Sequence, residues 1–205
     1  MIISMFNVAE RNFKIICVTN RQLCRGDFLV RLHEIAAARP DAVMLREKDL
    51  PLADYLVLSG QAQQICRSYG VPCIWHTYFN EETEFLHLPL RLWQQYNLPP
   101  LQALGVSCHS LAEAVRAAGS CNYLIAGHIF ATDCKQGLPG RGLDWLRLIC
   151  NAVDVPVYAI GGITAANIKQ VKAAGAGGVC LMSSFMTCAE PALLLNELKN
   201  AAGLA

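Results

Sequence analysis

Two adjacent glycines stand between an apolar run and a threonine in Ala159-Ile160-Gly161-Gly162-Ile163-Thr164. A glycine pair at such a strand-to-helix junction lets backbone N–H groups approach an anion, and a following helix adds the positive end of its dipole. A second apolar run ends in Met182-Ser183-Ser184, which adds hydroxyls and more N–H groups. Side by side, these turns read as a phosphate grip made by Gly161, Gly162, Ser183 and Ser184. His128 follows another apolar run directly, in Ile125-Ala126-Gly127-His128-Ile129-Phe130. Histidine suits general acid–base work near neutral pH. A buried histidine with both nitrogens satisfied is the competing reading.

Other polar groups also gather where apolar runs stop: Asn20 and Arg21, then Arg46-Glu47-Lys48-Asp49, His76, and Ser107 with His109. His33, His76, His87 and His109 are read as packed histidines, with His109 placed to line a pocket after its strand. The loop Ala131 to Gly142 carries Thr132, Asp133, Cys134 and Lys135, two cations and three glycines. It reads as a lid over an anionic substrate, or else as a plain surface loop.

Those groups need a scaffold that brings strand ends together. Short apolar or β-branched runs alternate with amphipathic stretches throughout. Strands are expected at Phe13–Thr19, Ala42–Leu45, Val71–Trp75, Glu84–Leu88, Leu104–Ser107, Tyr123–Ala126, Val157–Ile160 and Gly178–Met182. Helices are expected at Phe28–Ala38, Leu52–Tyr69, Leu143–Val153, Thr164–Ala174 and Pro191–Asn200, with Gly70 and Gly175 as stops. Ser110 with Glu113 forms a capping box for a further helix. Eight strand–crossover units predict a (β/α)₈ barrel, a TIM barrel, whose site lies at the C-terminal ends of the strands. Thr77–Leu101 shows no room for two full helices, so an open doubly wound sheet is the alternative there.

The 205 residues suit one domain, 1–205, because such barrels begin at about 200 residues. At 54% hydrophobic and 16% charged the chain has a large core, and its net charge of +1 gives no general field for nucleic acid or an anionic membrane. The N-terminus lacks the pattern of a leader peptide and no apolar stretch reaches the roughly 18 residues of a membrane span, so a cytoplasmic protein is expected. The ten cysteines form no C-x-x-C pair, and most sit in apolar runs (Cys17, Cys73, Cys108, Cys180), so they read as reduced thiols. No linker or repeat marks a second domain. The oligomeric state stays open, a homo-oligomer included.

Several stretches together resemble the thiamine phosphate synthase/TenI superfamily: Leu45-Arg46-Glu47-Lys48-Asp49, Gly105-Val106-Ser107-Cys108-His109, Phe130-Ala131-Thr132 with Lys135, Val157 to Thr164 with Asn167, and Gly178 to Ser183. The resemblance implies a (β/α)₈ barrel and a phosphate site at Gly161, Gly162, Met182, Ser183 and Ser184, with Thr132, Asp133, Cys134 and Lys135 on the lid. Two activities share that superfamily. The synthase joins a pyrimidine diphosphate to a thiazole phosphate with Mg²⁺ held by aspartates after the third and fourth strands. Here the matching stretches, Cys73 to Tyr78 and Phe85 to Leu90, carry no carboxylate.

The TenI-type thiazole tautomerase instead carries Gly-His-x-Phe, Thr-Asp-Cys-Lys and Gly-Arg-Gly, which match Gly127 to Phe130, Thr132 to Lys135 and Gly140 to Gly142. On this resemblance the expected activity is the cofactor-free isomerisation of a carboxythiazole phosphate to its aromatic form, with His128 shuttling the proton. Arg46 and Lys48, which match the synthase's diphosphate-binding pair, would then grip the substrate carboxylate. The synthase, requiring Mg²⁺, is the alternative; a non-catalytic thiazole-phosphate-binding regulator is a further one. The chain has no helix-turn-helix and no basic face for direct DNA binding.

Overall fold

Along each apolar run, successive side chains face opposite sides of the sheet, and this period of two builds two cores at once. In the computed structural model, which describes residues 12–132, 135 and 137–204, the strands are β1 Lys14–Val18, β2 Ala42–Leu45, β3 Cys73–His76, β4 Phe85–Leu88, β5 Ala103–Cys108, β6 Tyr123–Gly127, β7 Val157–Ile160 and β8 Gly178–Leu181. They pair in parallel and in chain order, and β8 returns to β1 through Lys14 opposite Gly178 and Cys17 opposite Leu181, closing the barrel. Closure removes the open-sheet alternative at Thr77–Leu101.

One parity points inward. Ile16, Val18, Ala42, Met44, Ile74, Phe85, Tyr123, Tyr158 and Cys180 fill the barrel itself. The other parity, with Ile15, Cys17, Val43, Leu45, Trp75, Leu86 and Val179, packs outward against the helices. Two packed layers on one sheet explain why the strands read as uninterrupted apolar runs rather than as alternating ones. Gly105 belongs to the inward set, and a Cβ there would collide with the Tyr123 ring.

The helices are α1 Phe28–Ala38, α2 Leu52–Ser68, α3 Leu90–Trp93, α4 Leu111–Ala118, α5 Gly142–Ala152, α6 Ile168–Ala173, α7 Ser183–Thr187 and α8 Pro191–Ala201. Asp27 caps α1 by accepting from the Val30 amide, and Ser110 caps α4 at Glu113. The Glu113 carboxylate accepts in return from the His109 amide, which completes the expected box; each such cap contributes about 1 kcal/mol.

As expected for Thr77–Leu101, no two full helices stand there: none separates β3 from β4, and α3, a single turn, is the only helix among the described residues between β3 and β5. Three departures from the sequence expectation are instructive. The helix after β7 starts at Ile168, not Thr164, because the Asn167 side chain accepts from the Thr164 amide and holds 164–167 as a turn. Ser183 and Ser184 open α7, a five-residue helix too short to show a period. His33 is exposed on α1 beside Tyr69 rather than packed. Cys17, Cys73, Cys108 and Cys180 are buried free thiols, as expected. Asp133 and Cys134 of the lid loop, and the N-terminal segment read for a leader, lie outside the described residues. Among the described residues no helix is long and apolar enough to cross a membrane.

Candidate active site

A cavity of about 620 Å³ opens at the C-terminal ends of the strands. The inward parity that fills the barrel continues past each strand end and sets what this cavity meets. After Ala42 and Met44 come Arg46 and Lys48; after Ile74, His76; after Phe85, His87; after Gly105, Ser107. All five line the cavity. Gly127, His128, His109, Thr132, Lys135, Gly161, Gly162, Met182, Ser183 and Ser184 line the same cavity. The structure thus gathers the described candidates for catalysis and phosphate binding into one site. Asn20 and Arg21 are not part of it: Asn20 accepts from the Gln22 amide, and Arg21 pairs with Asp49 at 2.5 Å.

The glycine wall is shaped by contact with the neighbouring chain. Gly161 and Gly162 have φ of 102° and 67°, in the region that favours glycine. A Cβ on Gly161 would meet the Cβ and Cα of His128, and one on Gly162 would meet the Ala131 carbonyl and Phe130. The Phe130 amide donates to the Gly161 carbonyl at 3.0 Å and the Ile129 amide to the Ile160 carbonyl at 2.9 Å, so the two loops travel together. Asn167 donates to the Gly162 carbonyl at 2.9 Å, fixing the turn from its far side. The expected helix dipole does not reach this turn, since α6 begins only at Ile168, six residues after Gly162.

A second wall is built from charge. Glu47 is buried, accepting from the Thr19 hydroxyl at 2.5 Å and the Arg21 amide at 2.9 Å, and Thr19 accepts from the Arg46 amide at 3.1 Å. This chain ties the loops after β1 and β2 and aims Arg46, whose Nη1 also lies 3.7 Å from the Met182 sulfur. Burial raises the Glu47 carboxyl despite these bonds. Burial lowers the Lys48 ammonium, helped by the positive charges of Arg46, Arg91 and Lys135.

His76 and His87 form the floor, and treating them as packed, satisfied histidines was incomplete. Their positions oppose each other across β3 and β4, and their rings stack at 5.7 Å and 26°. His87 Nε2 meets the Ser107 hydroxyl at 2.8 Å, His76 Nδ1 meets Thr77 at 2.7 Å, and the His76 amide donates to Tyr55. Buried His87 Nδ1 has no hydrogen-bond partner among the described residues. Burial lowers both imidazoles, His87 to about 3 with help from Arg46, and His76 well below its usual value with help from His87, Arg46 and Lys48. Parity with Ile74 and Phe85 was the signal in the sequence that these side chains turn inward.

His128 is buried, with Nε2 at 3.2 Å from the Leu138 carbonyl. A carbonyl only accepts, so Nε2 carries the proton and buried Nδ1 is left as an acceptor, without a partner among the described residues. The Arg141 and Gly142 amides bond back to the carbonyls of His128 and Ile129, so the loop after β6 starts and ends at the same point. His109 is exposed at the rim, its Nδ1 donating to the Gly127 carbonyl at 3.1 Å.

The described residues contain no group of three or more His, Cys, Asp or Glu that could hold a metal ion. The cavity thus carries a backbone-built wall and a cationic wall, which meet where Arg46 reaches Met182, together with two stacked imidazoles and a serine.

Residues 91–185 match the family model described as thiamine monophosphate synthase. Thiamine-phosphate synthase 2 of Streptococcus pneumoniae is 33% identical over 180 residues, covering 82% of this chain and 85% of that protein. The thiamine-phosphate synthase of Methanoculleus marisnigri is 36% identical, covering 82% and 84%. The thiamine phosphate pyrophosphorylase of Pyrococcus furiosus superposes with a TM-score of 0.80 at 25% identity, covering 94% of this chain and 97% of that one. These relatives overturn the expected isomerase: they are named for a transferase, and the tautomerase reading drawn from His128 and its neighbours gives way to the synthase.

Proposed function

The chain belongs to the thiamine phosphate synthase family, and from that premise we propose that it condenses a pyrimidine diphosphate with a thiazole phosphate to give thiamine phosphate and pyrophosphate. The observation that carries this reading is that one cavity holds two anion-binding walls, one of backbone and one of cations. A single monophosphate needs only one of them.

On this reading the thiazole phosphate sits against Gly161, Gly162, Met182, Ser183 and Ser184, where close-packed backbone leaves room for an anion and the hydroxyls donate to it. The diphosphate lies against Arg46, Lys48 and Lys135, under Thr132; Arg46 and Lys48 thus meet a leaving group and not a ring carboxylate. The thiazole nitrogen forms a bond to the pyrimidine's exocyclic methylene carbon. The C–O bond to the diphosphate breaks, and its electron pair leaves with pyrophosphate. Charge grows on the departing oxygens, where the fixed cations stabilise it. No base has to take a proton from the thiazole nitrogen, so His128 acts by packing against Gly161 and shaping the cavity in which the reacting rings are held.

The family resemblance implies Mg²⁺, and the donor set does not fit it. Hard divalent cations take oxygen ligands, carboxylates above all, and no Asp or Glu is among the described residues lining the cavity. No step above is routed through a metal.

Purified protein given both substrates is expected to release pyrophosphate and form thiamine phosphate. Protein that stays folded and binds both anions yet releases no pyrophosphate would overturn the reading in favour of a binding role.

A further inference from the structure

The carboxylates that a metal would need are present in the sequence but committed elsewhere. Glu47 is buried against Thr19 and the Arg21 amide, and Asp49 is held by Arg21 and Gln22. The strand-end positions facing the diphosphate carry His76 and His87 instead. These imidazoles cannot converge on one ion. Lone pairs lie in the ring plane, and the two planes are stacked within 26° of parallel, one above the other. One nitrogen of each is already engaged, with Thr77 and with Ser107.

The local field argues the same way. Beyond burial, Arg46 lowers both His76 and His87, and Lys48 adds to the effect on His76. A divalent cation placed among these groups would meet the same repulsion, twice over. An anion would be drawn in. No carboxylate forms an ion pair with Lys48 or Lys135 among the described residues, so both ammonium groups can turn to a ligand.

We propose that this chain holds and releases its diphosphate without a divalent cation, using Arg46, Lys48 and Lys135 as the counter-charge above a hydrogen-bonding floor of His76, His87 and Ser107. The proposal rests on the synthase reading for its substrate, and on the donor set for its content. Three cations take the place of the metal in neutralising the departing pyrophosphate.

Calorimetric titration of the full chain with inorganic pyrophosphate, in excess EDTA and again with MgCl₂, tests it. Binding is expected in EDTA and is not tightened by Mg²⁺. Arg46→Gln and Lys48→Gln should each weaken it on the order of tenfold, as loss of one charge-assisted contact implies. Binding seen only with MgCl₂ would overturn the proposal. The condensation, followed by pyrophosphate release in the same two buffers, separates the two claims. Turnover in EDTA supports both, and turnover strictly dependent on Mg²⁺ sinks this proposal while leaving the synthase reading intact. Pyrophosphate binding in EDTA with no condensation in either buffer sinks the synthase reading and leaves the metal-free grip standing.

Discussion

The wall made by the ends of β7 and β8 and the wall made by the ends of β2 to β4 face one cavity, yet they are built from different materials. The first is backbone: Gly161 and Gly162 lie so close to His128 and Phe130 that any side chain would collide. The second is side chain: Arg46 and Lys48 project from a loop that Thr19 and Glu47 hold in place. A wall of backbone is set by sterics and fails abruptly when crowded. A wall of charge is set by electrostatics and can be weakened by degrees. The comparison predicts steep losses on one side and graded, condition-dependent losses on the other.

Gly161→Ala should cause the largest loss. It places a Cβ on His128 in a backbone conformation that L residues rarely adopt, and it is expected to cost at least about 2 kcal/mol of stability, with loss of phosphate binding. An unchanged urea midpoint would show that the two loops are not packed as tightly as their geometry implies.

The imidazole floor should respond to pH. His87 is lowered from 6.5 to about 3 in the folded state, with burial the main cause. The unfolded chain therefore takes up the proton first. The stability from keeping His87 neutral is complete above about pH 6.5 and is lost as pH falls toward 3, by up to about 1.4 kcal/mol per pH unit. His76 shifts in the same direction and adds to it. Urea midpoints measured from pH 7 down to pH 5 should fall, and His87→Phe should flatten that slope. A variant with the wild-type slope would remove His87 from the account.

Asn167→Ala removes the bonds to the Gly162 carbonyl and the Thr164 amide. It should cost about 1–2 kcal/mol and raise KM for the thiazole phosphate several-fold, leaving kcat nearly unchanged. A fall in kcat alone would place Asn167 on the wrong wall. Ser183→Ala should have the smallest effect, a loss of phosphate affinity of about tenfold or less, because the backbone wall remains.

How legible each region was follows from the same distinction. The glycine pair and the serine pair stood out because few residue types serve at those positions. The barrel was legible from its eight apolar runs, and β7 and α1 were located to the residue. The open-sheet alternative remained because the β3–β4 crossover carries no helix, and only pairing between distant strands shows that the barrel closes there. α7 went unseen because five residues cannot display a helical period. His76 and His87 were read as packed because a histidine beside an apolar run looks buried, which they are; burial does not say which side of the sheet they face. The reaction was the least legible part. His128 sits in a local motif that suggested proton transfer, whereas similarity across most of the chain supports a transferase.

Gly105 sits well below the chemistry, and its missing methyl group governs the shape of the floor. The space it leaves is occupied by the Tyr123 ring, which stacks on His87 at 5.6 Å, and His87 stacks in turn on His76. Filling that space would displace the Tyr123 ring and press on the two imidazoles stacked beyond it, both of which line the cavity. The barrel interior therefore works as a push-rod, and a change of one carbon atom deep inside it would be felt as a change of substrate fit at the mouth.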